Sequence, residues 1–418
     1  MKAIRLIVYV ILILPGLAFS PAGAEPYLSG YVQGLYGGGL DKTNPTGSDW
    51  IASENRLQIR LESFSETSEV FGRIDFVYDD FNDPALRSEL REAYAKFRLG
   101  SRFDIKIGRQ IATWGTGDLI FINDLFAKDY RSFFNGRDDQ YLKAPHNALR
   151  VEYYSGRTSL TLIYSPRFTP NIIPSGQRLS YYNPLAGAIV GGENNIFEGR
   201  RPEEKFRNGE LAARINRYFG SADVALYFYR GFYKNPIGMD MEQIVAFYPR
   251  LHVYGGSVRL PILGGILWGE TGYYHSRQDK DGDDPFIENS SISSLAGFER
   301  QIGSDLTANI QYQNRLRLDY EAYLDNLPPG MIERDEVYHL VTSRITKLLM
   351  METLNLSGFV FYSPSEEDAY IRLAAAYKHS DPLTITVGGN IFAGNEEFTD
   401  FGSFRKNDNL YLKITYGY

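Results

Sequence analysis

The chain has 418 residues, with 44 Lys and Arg against 51 Asp and Glu, a net charge of -7, no Cys, and 14% aromatic residues. The acidic balance excludes a nucleic-acid partner, because a basic footprint is what neutralises phosphate. The absence of Cys excludes a disulfide-stapled scaffold and any thiolate-bound metal or redox centre.

Residues 1–24 separate from the rest. Lys2 and Arg5 precede the apolar run LIVYVILILPGLAF, and AGA (Ala22 to Ala24) closes it as a small-x-small cleavage site, the order of a secretory signal peptide. The run is broken by Pro15, and no later segment reaches the ~18 apolar residues of a spanning helix. The expected mature chain, 25–418, leaves no N-terminal plug domain before its first strand.

From there short alternating segments run to the end of the chain. RLQIRLE places Leu57, Ile59 and Leu61 opposite Arg56, Gln58, Arg60 and Glu62, and LTANIQYQ places Leu306, Ala308, Ile310 and Tyr312 opposite Thr307, Asn309, Gln311 and Gln313. A period of two predicts strands with one apolar and one polar face. In chain order the predicted strands lie at 27–36, 55–65, 69–80, 88–99, 102–110, 147–155, 158–165, 208–218, 221–232, 250–261, 265–277, 291–302, 304–317, 336–349, 352–364, 367–378, 382–394 and 408–418, about 18 in all.

Their connections alternate in length. GS at 100–101, SGRT at 155–158, FGS at 219–221 and GSD at 303–305 are short, whereas 37–54, 111–146, 166–207, 233–249, 278–290, 318–335 and 395–407 are long; SPSEE at 363–367 interrupts the long set. A bacterial outer-membrane barrel sorts its connections in this way, with an even strand number, short periplasmic turns and long extracellular loops. In lipid every backbone amide must be paired, so a sheet spans only if it closes on itself. Wall strands then alternate apolar and polar residues, which reconciles membrane integration with a mean hydropathy of -0.30. The predicted fold is therefore all-β, a transmembrane antiparallel β-barrel of residues 25–418.

Inward-facing candidates by parity are Arg56, Arg60, Glu62, Arg73, Asp75, Glu92, Lys96, Arg98, Asp104, Lys106, Arg150, Glu152, Glu210, Arg214, Glu299, Arg344, Arg372 and Lys413. Basic residues predominate among them, and such arrays pair across strands and also bias a pore toward one sign of solute. The cations Arg56, Arg60, Arg73, Lys96, Arg98, Lys106 and Arg150 come from the first six strands and are the candidate pore lining.

The connection 111–146 is long and aromatic, carrying Trp114, Phe121, Phe126, Tyr130, Phe133, Phe134 and Tyr141. Such a segment is expected to pack rather than to wave in water, and a connection of this length needs a reason. Asp118, Asp124 and Asp129 are its candidate constriction carboxylates, expected to face the arginines of the early strands. Trp114, Gly115 and Gly117 are the candidate hinge where the chain leaves the wall, glycine permitting a sharp departure. The connection 166–207 is the second one long enough to plug the barrel; its Gly-rich NPLAGAIVGGENN of 183–195 fits either a second plug in the lumen or a mobile surface loop.

The run of Gly108, Arg109 and Gln110 at a strand end, followed by Trp114, Gly115 and Asp118 in an Asp-rich aromatic turn, resembles an uncharacterised family of proteobacterial outer-membrane β-barrels. That family is itself similar to phosphate-selective porins and alginate-export barrels. The Asn-Pro turn frequent in the family is replaced here by INDLFAKDY (122–130). The resemblance implies solute passage or export.

Enzymatic chemistry finds little support. GTGD at 115–118 lacks the continuation and helix of a dinucleotide loop, no nucleophile elbow is present, and His146, His252, His275, His339 and His379 form no metal-binding spacing. RQDKDGDDPFIE (277–288) resembles a calcium loop through Asp279, Asp281 and Glu288, although Arg277 holds the first ligand position. Otherwise no metal or cofactor is expected. The function expected is an outer-membrane porin-like channel for passive or selective passage of small solutes, anions among them. The alternative is an outer-membrane conduit or accessory component of an export system, or an adhesive surface barrel. Expected partners are outer-membrane lipid and lipopolysaccharide, small solutes, and either further copies of the chain or a periplasmic export component.

Overall fold

The computed structural model describes residues 26–82, 84–192 and 199–418; the expected signal segment 1–24 and the end of the Gly-rich stretch 183–195 lie outside them. Eighteen strands form one antiparallel sheet. They are β1 (Tyr27–Gly39), β2 (Trp50–Phe64), β3 (Ser68–Asp79), β4 (Leu86–Leu99), β5 (Phe103–Gln110), β6 (His146–Ser155), β7 (Thr158–Ser165), β8 (Glu210–Phe219), β9 (Ala222–Phe232), β10 (Arg250–Ile262), β11 (Gly265–Ser276), β12 (Ser291–Ile302), β13 (Leu306–Arg317), β14 (Val337–Leu349), β15 (Leu354–Ser363), β16 (Asp368–Lys378), β17 (Leu383–Gly394) and β18 (Asn409–Gly417). Each pairs with its neighbour in sequence, and β18 returns to β1 with Tyr416 opposite Val32 and Leu410 opposite Gly38, which closes the barrel.

Alternation sorts the two faces. Val32, Ile107, Leu149, Leu162, Leu226, Ile310, Ile345, Leu373 and Val387 are exposed on the outside, while Arg56, Asp75, Asp104, Glu210, Gln311 and Asn390 are buried inside. The pattern is that of a soluble protein turned inside out. Its apolar belt is the surface that hydrocarbon covers, each leucine-sized side chain gaining roughly 1.5–3 kcal/mol on leaving water.

Apart from 80–85 and 364–367, the short turns lie at one end. Leu263 and Gly264 form a tight one, both with positive φ (53° and 70°), the handedness that matches the twist of a two-residue hairpin. The long connections lie at the other end. Two of them carry small hairpins, Tyr181–Asn183 with Ala188–Val190 and Gly238–Asp240 with Val245–Phe247, and two carry short helices, α1 (Tyr130–Phe133) and α2 (Tyr320–Asn326). On this side 80–85 is short, as is 364–367.

Two differences from the expected strands matter. The β1–β2 hairpin extends through the glycines to Gly38 opposite Trp50, with a register shift between Gly37 and Gly38, so β2 begins earlier than the alternation suggests. In β4 the register against β3 shifts between Arg73, opposite Glu92, and Ile74, opposite Leu90. Arg91 is the extra residue of a bulge, which re-aims its side chain.

Candidate functional site

The segment between β5 and β6 begins where glycine is required. Gly108 has φ +129°, and a Cβ there would lie 2.3 Å from the Ala93 carbonyl oxygen. Gln110 Nε2 donates to Ala148 O at 2.9 Å and Ile111 N donates to Glu92 Oε1 at 3.0 Å, which holds the point of departure. Trp114 then packs edge-on against Phe126 at 5.1 Å and near Tyr227 of β9 at 6.0 Å. At Gly115 φ is +82° and a Cβ would meet Glu270 at 2.9 Å. Gly117 is constrained by space instead, since a Cβ there would lie 2.5 Å from Ile120 O.

Glu270 of β11 organises this first limb. It accepts Thr116 N at 2.6 Å, Thr116 Oγ1 at 3.0 Å, Asn123 N at 2.7 Å and Asn123 Nδ2 at 3.0 Å. Further along, Asp118 accepts Asn309 Nδ2 of β13 and Arg344 Nη2 of β14, both at 2.9 Å, while its backbone exchanges hydrogen bonds with Gln311. Ile120 and Ile122 share a buried cluster with Trp268 and Leu295 of the wall.

The second limb lies against the rest of the wall. Asp129 caps α1 by accepting Arg131 N and Ser132 N. Burial disfavours its charge, yet Arg131 and Arg137 hold the carboxyl below the usual range. Phe133 and Phe134 enter a group of rings with Phe361, Tyr370 and Phe392, and Tyr370 Oη donates to Phe133 O at 2.9 Å. Beyond them Arg137 pairs with Glu54 of β2, Asp138 with Lys413 of β18, and Asp139 with Arg372 of β16 at 2.8 Å. Tyr141 Oη meets Tyr31 Oη of β1 and donates to Asp75 of β3 at 2.9 Å. Arg91 Nη2 closes the circuit from the bulge of β4, donating to Lys143 O at 2.9 Å. The segment thus touches inward-facing side chains on both sides of the barrel.

The charges are not arranged as expected. Asp124 pairs with Lys128 at 2.9 Å, inside the segment, and Asp129 with Arg131. Asp118 meets Arg344, a cation of the late strands. Toward the early strands it is the loop that supplies the cation, Arg137, and the wall that supplies carboxylates, Glu54 and Asp79. The reason lies in Glu54 and Asp75, which already neutralise Arg56. Carboxylates from the loop would have added to a negative site.

Of the wall candidates, Lys96, Lys106 and Arg150 fall into one cross-strand row on β4, β5 and β6. Arg60 sits opposite Arg73, the like charges being offset by Glu62 at 2.5 Å and Glu92 at 2.7 Å respectively. Arg98 pairs with Asp104 at 3.1 Å. Parity reasoning omitted Glu54, Arg91, Arg178 and Glu270 as wall or loop anchors. Glu54 shares the parity of Arg56 and was readable; Arg91 was not, because a bulge leaves no mark in the alternation.

The 166–209 connection crosses the long-loop end. Arg178 Nη2 bonds Asp79 Oδ2 at 2.5 Å, Ser180 N donates to Asn407 Oδ1 at 2.9 Å, and Tyr182 N donates to Ser403 Oγ at 3.0 Å. Burial, reinforced by Arg137, pulls the Arg178 guanidinium down to about 10. Of the calcium candidates, Glu288 pairs with Arg334 at 2.8 Å and Arg317 at 3.3 Å, and among the described residues no three or more His, Asp or Glu are grouped to hold a metal ion.

No family model and no curated protein matches the sequence. Solved structures do match the fold. Pseudomonas aeruginosa OccK3 (OpdO) is 13% identical with a TM-score of 0.55, covering 97% of this chain and 99% of its own. Acinetobacter baumannii OccAB4 is 10% identical with a TM-score of 0.57, covering 95% and 99%. Pseudomonas aeruginosa OccD3 (OpdP) is 12% identical with a TM-score of 0.56, covering 95% and 93%. At these identities the likeness is one of fold.

Proposed function

We propose that the protein is an integral outer-membrane channel for small solutes, exported by the signal of residues 1–24 and narrowed by the segment 111–146. The observation that carries this reading is the anchoring of one connecting segment to inward-facing residues on both sides of a closed barrel, through Asp118 with Arg344, Asp138 with Lys413 and Arg137 with Glu54. A segment held at so many points sets the width of the passage, and Trp114, Gly115 and Gly117 act as its hinge. The motif from Gly108 to Asp118 supports the same class through the family it resembles, and the Occ structures support it through their fold.

Small anions are the solute class we favour. The row Lys96, Lys106 and Arg150 brings three cations together; Asp104 pairs with Lys96 at 3.0 Å and Glu152 with Arg150 at 2.7 Å, while Lys106 has its ammonium over the Tyr94 ring at 3.4 Å instead of against a carboxylate. Rows of fixed charge at a wall bias the ions that pass. Single-channel recording in planar bilayers tests both parts. Discrete conductance steps that enlarge when the segment is shortened are expected, with a reversal potential of anion-preferring sign. Silent bilayers from correctly folded protein would favour an accessory or structural role, and cation preference would remove the anion reading.

A further inference from the structure

On the outer surface, away from the lumen, β9, β10 and β11 carry a second organised site. Register aligns Phe228, Tyr254 and Tyr273 in one outward row, and Arg230, His252 and His275 in the row next toward the long-loop end. Arg250 and Arg277 lie just beyond, and Arg207 joins them from the end of the 166–209 connection. Arg207, Arg230, Arg250, His252 and Arg277 line a pocket of about 340 Å³. All four arginines are exposed.

Several other arginines at this end of the barrel are paired with carboxylates. Arg200 has Asp240 at 3.0 Å, Arg334 has Glu288 at 2.8 Å, and Arg405 has Glu397. Among the described residues none of Arg207, Arg230, Arg250 and Arg277 has a carboxylate within the 4.0 Å of an ion pair. Their recorded partners are neutral: Arg250 Nη2 donates to Asn208 Oδ1 at 2.9 Å, and Arg277 Nη1 lies 3.0 Å from His275 Nε2. Among the described residues the cluster is thus a concentration of positive charge on the outer face.

Position says which anion. The pocket opens outward directly above an aromatic row of the kind that marks the interface of a barrel with its bilayer. Below that row stand Leu226 and Val258, both exposed. A ligand filling both zones has apolar chains against the belt and phosphates at the height of the guanidinium groups. Guanidinium forks match phosphate oxygens bidentately, and each phosphate monoester brings roughly -1.5 to -2 charges.

We propose that this pocket binds the phosphorylated glycolipid headgroup of the outer leaflet, lipopolysaccharide, as a defined lipid site. The site is independent of conduction, since its residues face away from the lumen. The test uses the full-length barrel in detergent, titrated with lipopolysaccharide, with its dephosphorylated form, with phosphatidylglycerol and with inorganic phosphate. Its partner is the combined variant Arg207→Gln, Arg230→Gln, Arg250→Gln and Arg277→Gln, with Arg230→Gln, Arg277→Gln as a milder second in case the first fails to fold. Native mass spectrometry is expected to show lipopolysaccharide retained by the parent chain and at least about tenfold less by the variants, with heat-modifiable migration unchanged. Dephosphorylation should weaken binding to the parent by a similar factor. Equal retention by the variants overturns the proposal. So does equal affinity for inorganic phosphate or phosphatidylglycerol, or a lipid-free dimer that the same substitutions abolish.

Discussion

Arg344 Nη2 donates to Asp118 Oδ1 at 2.9 Å, and the same nitrogen lies 3.9 Å from Asp139 Oδ2. One wall cation therefore ties together the outgoing and returning limbs of the β5–β6 segment. Asp118→Asn removes the charge on one limb and keeps the shape. The pair is partly exposed, so the expected loss is about 1 kcal/mol, enough to shift the docked limb's equilibrium roughly fivefold. Single-channel traces should gain rapid flicker to a larger open level. A record indistinguishable from the parent's would show that Asp118 does not hold the passage closed.

Glu54 carries a heavier load. It is 1% exposed and faces Arg56 at 2.6 Å and Arg137, both buried. Glu54→Gln removes the carboxylate that Arg56 and Arg137 share and leaves them Asp75 and Asp79, a defect in a buried ion network costing about 3 kcal/mol. Urea or thermal unfolding in detergent should show a clearly lowered midpoint. Arg137→Gln should cost less, because Glu54 keeps Arg56. Equal effects from the two substitutions would contradict the geometry described.

Much of this architecture was legible because a lipid-facing barrel writes its two solvents into alternate residues. Leu57, Ile59 and Leu61 against Arg56, Gln58 and Arg60 suffice to orient β2. Parity also assigned Arg344, Arg372 and Lys413 to the inside, and these are the cations that the loop carboxylates meet. It failed where the period of two fails. Arg91 turns inward only because a bulge shifts β4 against β3. The partners of Asp118, Asp124 and Asp129 could not be read either, because a loop's path depends on which wall charges are already satisfied. The four outward arginines were invisible for a related reason: Arg230, Arg250 and Arg277 are distant in sequence and meet only through the register of β9, β10 and β11, and Arg207 reaches them from the 166–209 connection.

Glu270 supplies four hydrogen bonds to a single limb. Glu270→Gln replaces one acceptor oxygen by an NH₂ group facing the Thr116 or Asn123 amide, so a donor meets a donor. Losing hydrogen bonds to a buried carboxylate costs about 1–3 kcal/mol. The amides of Thr116 and Asn123 should exchange with solvent faster, and limited proteolysis should open the chain between them, while the strand signal in circular dichroism stays constant. Unchanged protection of both amides would count against Glu270 as the anchor.

The turn between β15 and β16 carries a pH-sensitive contact. Glu366 Oε2 accepts the Asp400 backbone N–H at 2.6 Å. Burial, and then the neighbouring Asp400 and Asp368 carboxylates, push the Glu366 carboxyl up to about 8 from an ordinary 4.5. A carboxyl raised on folding binds its proton more tightly in the folded state. Its contribution is fully present below about 4.5 and declines as pH rises through about 8. The contact between this turn and the 395–408 connection should therefore loosen toward alkaline pH, seen as faster exchange of the Asp400 amide after correction for the intrinsic base-catalysed rate. Glu366→Gln keeps a neutral acceptor in place and should flatten the profile between those limits. A corrected profile that rises equally in parent and variant would assign the change to other groups.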